Sequence, residues 1–264
     1  LYLHNAANAD IRGINLITIM LKNLFSGAFL TFSVALLCSC SRGSDLPNQL
    51  TPEEQKEGWE LLFDGQSLNG WHLYNEGNKP SAWKVENGEL MYRSDSARVE
   101  HEDLVTDKEF ENYDFRFEWK ISEEGNSGVF INVVERKDIP TAWASGPEYQ
   151  LLDSLHPDYA VNLKKRAGCL YGFTEQKNPV PARPAGEWNQ GRIVQQNGKV
   201  QFYLNGLLTA EQDMTGESWK EMIAASSFNY FPDFGKATKG RIGLQKWYKS
   251  VAFRNLKIKE NKGA

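Results

Sequence analysis

The sequence predicts an all-β fold, a sandwich of two antiparallel sheets with one or two short peripheral helices. Three observations predict it. The chain carries 8 Trp, 10 Tyr and 14 Phe beside 22 Gly, a mix that suits pleated, half-buried strands joined by tight turns. Phe115, Phe117, Trp119 and Ile121 alternate with Asp114, Arg116, Glu118 and Lys120, the period of a strand with one buried face. Two Asn-Gly pairs, Asn197-Gly198 and Asn205-Gly206, join consecutive strand-like runs, and Asn-Gly favours the type I′ turn of a twisted hairpin. No alternation of strand and helix signals a βαβ unit.

The N-terminal stretch is read separately from the fold. The first Met is Met20, and residues 1–19 read as upstream sequence or an alternative start. Lys22, the apolar run Leu24 to Leu37 and then Leu37-Cys38-Ser39-Cys40 have the layout of a secretory signal peptide, too short for a spanning helix of ~20 residues. Leu-x-Ser-Cys resembles a bacterial lipobox, so Cys40 is the expected lipidation site, with Cys38 the second choice. The polar residues after Cys40 then read as a tether. This predicts residues 1–40 as upstream sequence plus lipoprotein signal peptide and 41–56 as tether and short helix. A single jelly-roll domain follows over 57–260. The expected location is the cell envelope, with membrane contact through the lipid alone.

Thr51-Pro52-Glu53-Glu54 predicts a helix start, with Thr as N-cap, Pro at the first turn and Glu three residues after the cap. Gly58-Trp59 ends that helix and Glu60–Phe63 begins the first strand. Gly125-Asn126-Ser127-Gly128 reads as a tight turn feeding Gly128–Val134, a run apolar except for Asn132, as in a strand covered on both faces. Arg192–Gln196, Lys199–Leu204 and Leu207–Glu211 form the two hairpins, Ser218–Ala225 a helix, and Arg241–Gln245 and Val251–Lys259 the last strands.

A formal net charge of -4 gives no electrostatic case for a nucleic-acid partner, which needs clustered cations. Four His and three Cys are too few for a zinc ribbon or disulfide framework. Cys169 lies in an apolar stretch and reads as a buried small hydrophobe. Phosphate-loop, nucleophile-elbow, zincin and calcium-loop motifs are absent from the sequence.

Three clusters carry candidate chemistry. Asn126 and Ser127 offer hydrogen bonds at a cleft mouth, or serve only as turn residues. In Gly146-Pro147-Glu148-Tyr149-Gln150-Leu151-Leu152-Asp153, a strand puts Glu148 and Gln150 on one face. That face is either solvated or a polar groove, since an acid and an amide between apolar neighbours need partners. Asp153 and His156 fall at the strand end, where loops carry functional groups. Tyr171, Trp188, Asn189, Tyr203, Asn205, Gln245 and Trp247 supply the rings and amides that sugar recognition uses.

The combination is similar to the 3-keto-disaccharide hydrolase family. The resemblance rests on Trp59-Glu60-Leu61-Leu62-Phe63-Asp64-Gly65, Leu68-Asn69-Gly70-Trp71, Asn126-Ser127-Gly128-Val129-Phe130 and the Gly146–Asp153 motif. Gly168-Cys169-Leu170-Tyr171, Gly186-Glu187-Trp188-Asn189, Leu204-Asn205-Gly206, Gly243-Leu244-Gln245 and Phe253-Arg254-Asn255 follow in family order. It spans roughly residues 57–260. Two positions depart from the pattern: Lys246-Trp247 stands where Asp-His often follows Gly-Leu-Gln, and Asn132 where an Arg is often found.

The resemblance implies a concanavalin A-like jelly roll with a groove on its concave sheet. It also implies cleavage of glycosides already oxidised at C3 by a separate sugar 3-dehydrogenase. A C3 ketone acidifies the C2 hydrogen, so a base can remove it and the aglycone can leave by elimination, with hydration to follow. On this reading Glu148 or His156 is the base, and Gln150 and Asp153 contact ligand or metal. Asn126, Tyr171, Trp188, Asn205, Gln245, Trp247 and Arg183 bind substrate, with Arg183 and Lys165 candidates for enolate stabilisation. No motif demands a cofactor; a divalent metal ion at Asp153 is the one candidate. The competing readings are a non-catalytic glycan-binding lipoprotein using the same groove and a conventional endo-glucanase.

Overall fold

The computed structural model describes residues 46–93, 103–247 and 249–261; Cys40, Cys38 and the signal-peptide reading lie outside them. Thirteen strands are arranged in two antiparallel sheets. In chain order they are β1 (Glu60–Leu61), β2 (Trp71–Leu73), β3 (Trp83–Glu86), β4 (Glu89–Tyr92), β5 (Leu104–Thr106), β6 (Tyr113–Ile121) and β7 (Asn126–Val133). Then come β8 (Glu148–Leu152), β9 (Asn189–Gln196), β10 (Lys199–Leu204), β11 (Leu207–Asp213), β12 (Arg241–Leu244) and β13 (Val251–Glu260). The larger sheet runs β11-β10-β9-β6-β13-β4-β3, with β1 also on β13, and the smaller runs β2-β5-β12-β7-β8.

Local chemistry explains the elements. Thr51 and Glu54 complete a reciprocal capping box at α1 (Pro52–Lys56). Asn197 and Asn205 take φ of 50° and 48°, and the glycines that follow take 74° and 87°, the left-handed pair that a type I′ hairpin requires. In β6 the residues predicted to be apolar-in are buried and Arg116, Glu118 and Lys120 are partly exposed. Every residue of β7 is buried, as a strand covered on both faces must be.

Two expectations need correction. Asn126-Ser127-Gly128 is not a turn: Asn126 already pairs with Leu152 in the ladder. The turn lies earlier, where Glu124 takes φ 55° and the Gly125 amide donates to Ser122 O. Three α-helices lie among the described residues rather than one or two. The unforeseen one, α2 (Pro157–Val161), forms because His156 Nδ1 accepts the Asp158 amide ahead of a first-turn Pro. The third, α3, spans Glu217–Ala224, one residue from its predicted bounds.

The main core lies between the sheets and contains Phe115, Phe117, Trp119, Val129, Ile131, Tyr149 and Leu151. Burying each such side chain contributes roughly 1.5–3 kcal/mol. A second apolar cluster, with Val105, Phe130, Val133 and Ala142, covers part of the opposite face of the smaller sheet. Cys169 is fully buried, and burial pushes its thiol up to about 12, so it is a packing residue as expected. Among the described residues no helix is long and apolar enough to cross a membrane.

Candidate active site

Strand alternation builds the site on the outer face of the smaller sheet. Tyr149 and Leu151 enter the main core, so Glu148 and Gln150 between and beside them point outward. Leu244 of β12 pairs with Leu104 of β5 and with Val129 of β7, and all three belong to the inner core. One step along each strand, Asp103, Gln245 and Gly128 therefore form an outward row. Gly128 in turn pairs with Gln150 of β8. The row is fastened by backbone: Gln245 N donates to Gly128 O at 2.9 Å, and Lys246 N to Asp103 Oδ1 at 2.9 Å.

Glu148 occupies the gap above Gly128. Its side chain leans over that residue so closely that a Cβ there would lie 2.6 Å from Glu148 Cγ. The carboxyl forms the floor of a cavity of about 680 Å³ together with Asn126, Gln150 and Gln245. Gln150 Nε2 donates to Asn126 Oδ1 at 3.0 Å, which locks two floor amides together. Trp143 and Phe231 meet edge to face at 4.7 Å on one wall. Tyr171 and Phe228, 6.5 Å apart, form another, and Trp247 stands at the rim with 61% of its surface exposed. Lys165 reaches the cavity and donates to Asp158 Oδ2 at 2.9 Å, its ammonium 5.7 Å from the Tyr171 ring centre.

Electrostatics single out Glu148. Desolvation, then repulsion from Asp103, holds its carboxyl well above the usual carboxylate range. Asp103 is itself pushed up to about 7 by burial. Burial and the nearby Glu148 raise the Tyr171 hydroxyl, which keeps its proton at neutral pH. Asp158 raises Lys165, which stays cationic. A carboxyl that can carry or release a proton thus faces one cation and one phenolic O–H across an aromatic-walled cavity.

Seven of the candidate residues come together here: Asn126, Glu148, Gln150, Lys165, Tyr171, Gln245 and Trp247. The others do not. His156 is occupied as the cap of α2 and does not line the cavity. Asp153 Oδ2 accepts the amides of Glu124 and Leu155 at 2.7 and 3.3 Å, so its charge fastens a loop instead of holding a ligand. Trp188 lies against the larger sheet, with Arg254 at 4.1 Å and Lys120 at 4.6 Å from its ring centre. Arg183 donates to Trp188 O in the same region. Asn205 spends its amide on Gln190 N and Asn189 Oδ1 beside a hairpin turn. Asn189 and Tyr203 belong to that sheet too.

Among the described residues no three His, Cys, Asp or Glu side chains are grouped to hold a metal ion. The donors present do not suit a metal at Asp153, whose Oδ2 is taken by two backbone amides. Sequence reasoning named Tyr171 but missed Asp103, Asp158 and the other wall aromatics, Trp143, Phe228 and Phe231. The crowded Phe228–Phe234 segment, with three Phe and one Tyr in seven positions, was the signal available for two of those walls.

The comparisons fit this geometry. A family model described as the 3-keto-alpha-glucoside-1,2-lyase-like domain matches residues 58–259. The chain belongs to that family. A 3-keto-disaccharide hydrolase of Bacteroides thetaiotaomicron is 30% identical over 228 residues, covering 77% of this chain and 78% of the relative. A candidate glycosyl hydrolase of Parabacteroides distasonis, solved by crystallography, is 31% identical with a TM-score of 0.74, covering 82% of this chain and 100% of the other. A second from the same species, at 24% identity, TM-score 0.61 and coverage of 77% and 99%, shares the fold. This member of the 3-keto-alpha-glucoside-1,2-lyase-like family is thus a jelly-roll, glycoside hydrolase-like enzyme.

Of the family departures, only one touches the cavity. Trp247 stands at its rim. Asn132 is buried on the side facing the larger sheet and exchanges hydrogen bonds with Gln195, away from the cavity.

Proposed function

We propose that this enzyme cleaves glycosides carrying a ketone at C3, with Glu148 as the base that removes the C2 proton. One observation carries the reading: a buried carboxyl, with a raised ionisation midpoint and no hydrogen-bond partner among the described residues, faces an aromatic-walled cavity. The Bacteroides thetaiotaomicron relative is named a 3-keto-disaccharide hydrolase, which matches the chemistry such a carboxyl performs.

Glu148 takes the proton from C2, and the C–H electron pair becomes the enolate of the C3 ketone. The enolate collapses to a C1=C2 double bond as the C1–O bond breaks, and the aglycone oxygen leaves with a proton. Water then adds to C1 and a proton returns to C2, giving the free 3-keto sugar. Lys165, held by Asp158, supplies positive charge for the enolate oxygen. Tyr171, whose hydroxyl keeps its proton, supplies the O–H for the leaving oxygen. The substrate has to be made by a prior oxidation of a sugar C3 hydroxyl.

Turnover of a 3-keto-glucoside in D₂O tests this. The expected product carries deuterium at C2, and Glu148→Gln lowers kcat by at least ~10²-fold, the usual worth of a positioned base. Product without C2 label, or wild-type rates in the variant, overturns it; tight binding of unoxidised glucosides with no product identifies a glycan-binding protein instead.

The same proposal places the protein in the cell envelope, anchored by a lipid on Cys40. It is supported by the Leu37-Cys38-Ser39-Cys40 pattern after an apolar run. Labelled fatty acid incorporated by the expressed chain and lost in Cys40→Ala is the expected result; labelling that survives the substitution overturns it.

A further inference from the structure

Asp103 lies outside the cavity wall and has no place in the mechanism above, yet it shares the outward row with the reacting carboxyl. Reading across β5, β12, β7 and β8, that row is Asp103, Gln245, Gly128 with Glu148 above it, and Gln150. Adjacent strands are about 4.8 Å apart, so Asp103 and Gly128 are two strand spacings from each other with only an amide side chain between. Asp103 and Glu148 are 8% and 9% exposed. Two carboxyls in so dry a row cannot both ionise cheaply.

Hydrogen-bond accounting points the same way. Gln245 Oε1 and Gln150 Oε1 are buried acceptors with no donor among the described residues. Lys246 N is committed to Asp103, and Gln150 Nε2 to Asn126, which leaves the Gln245 amide nitrogen as the side-chain donor between the carboxyls. The row therefore sets two carboxyls and two buried amide oxygens against that one amide nitrogen. A carboxylate adds another acceptor, whereas a carboxylic acid supplies the missing donor.

We infer that Asp103 is a positioning residue acting through Glu148, the two carboxyls forming one acid pair that shares a single proton near neutral pH. When Asp103 is ionised it keeps the proton on Glu148; when Asp103 takes the proton, Glu148 is free to act as base. The proton removed from C2 then enters a pair that already holds one, and leaves from Glu148 in the hydration step. Among the described residues, the other charged or titratable groups around the pair are Lys246, beside Asp103, and Tyr171, beside Glu148, with Lys165 and Asp158 paired beyond Tyr171. Lys246 favours the ionised form of Asp103, and Tyr171 stays neutral, so neither replaces the shared proton.

This inference rests on the reading of Glu148 as the reacting carboxyl, but its test needs no substrate. The full chain, with ¹³C-labelled Glu and Asp carboxyls, is titrated by NMR, and Glu148 is assigned by the signal missing from Glu148→Gln. In the wild type the Glu148 signal is expected to move in two steps, because each partner senses the other. In Asp103→Asn, which keeps the acceptor for Lys246 N, a single step is expected with its midpoint at least about one pH unit lower. The acidic limb of kcat/KM on a 3-keto-glucoside moves down by the same amount, while KM at the optimum stays within about two-fold.

A Glu148 midpoint unchanged by Asp103→Asn overturns the pair. A second variant guards against misfolding: Lys246→Met removes the cation that favours ionised Asp103, so the Asp103 midpoint is expected to rise and that of Glu148 to fall. Unmoved midpoints there also overturn it. Absence of turnover with intact coupled titration overturns the proposed reaction and leaves the pair standing.

Discussion

The carboxyl of Glu148 lies directly above the Cα of Gly128, a residue on the neighbouring strand with no side chain to displace it. Phe130 is the residue paired with Glu148 in the ladder, so the glutamate leans diagonally along the sheet to reach this position. A glycine in a central strand costs stability relative to larger residues, and here its absence of a Cβ opens the floor of the cavity. Sequence motif and chemistry thus meet in one contact.

Gly128→Ala tests that contact. The new methyl would collide with Glu148 Cγ, Cδ and Oε1, and the buried glutamate has to swing away. Overpacking of this kind costs about 1–3 kcal/mol. The expected outcome is a modest fall in melting temperature with kcat reduced at least ~10²-fold, as for loss of the base itself. Full activity with a normal melt would show that Glu148 does not need its place above Gly128.

A different role belongs to Asn132. Its Nδ2 donates to Gln195 Oε1 at 2.7 Å and its Oδ1 accepts from Gln195 Nε2 at 3.1 Å, joining β7 to β9 across the sandwich. Gln195 Nε2 also donates to Thr238 O at 2.7 Å and to Glu111 O. Asn132 holds φ at 55°, a conformation Asn tolerates and branched or larger residues resist. Asn132→Leu strands a buried amide and strains the backbone, at a combined cost of about 2–4 kcal/mol. Chemical denaturation should register that loss while kcat per folded molecule stays near wild type; a selective loss of kcat would place Asn132 in the reaction after all.

How much of this was legible in the sequence depends on how far apart the interacting residues lie. The capping box at Thr51 and the left-handed Asn-Gly turns are decided within a few residues, so their residue types announce them. Glu148 and Gln150 share a face because strand periodicity is strict, and that put both on the cavity side of the sheet. Asp103 was invisible, since its place in the row follows from pairing with β12 well over one hundred residues later. Trp188 misled for the same reason: a ring suited to sugar stacking is covered by Arg254 and Lys120 from β13 and β6. His156 sits close to the site in sequence, but a local helix cap claims its ring.

Trp247 is a test of the cavity rim. Its ring lines the cavity while more than half its surface meets solvent, so removing it leaves the core intact. A ring stacked on one ligand face contributes about 1 kcal/mol. Trp247→Ala is therefore expected to raise KM roughly 5-fold, with kcat changed by less than about two-fold and the melting temperature unmoved. A fall in kcat at constant KM would instead make Trp247 part of the chemical step.

Burial of Asp103 also makes a pH prediction for stability, and its sign is opposite to that of a salt-bridged acid. The folded protein holds this carboxyl at about 7, against roughly 3.9 for an unfolded Asp. Between those values the folded state binds more protons than the unfolded state, so stability falls as pH rises through that window. Below pH ~4 both states are protonated and the group contributes no penalty. Asp103→Asn removes the ionisation while keeping the acceptor for Lys246 N. The variant should match wild type near pH 4 and exceed it by about 2–4 kcal/mol at pH 8, read from denaturation midpoints at the two pH values. A constant difference between variant and wild type across that range would mean that Asp103 ionises in the folded protein as it does in water, and that burial on the outer row does not hold its proton.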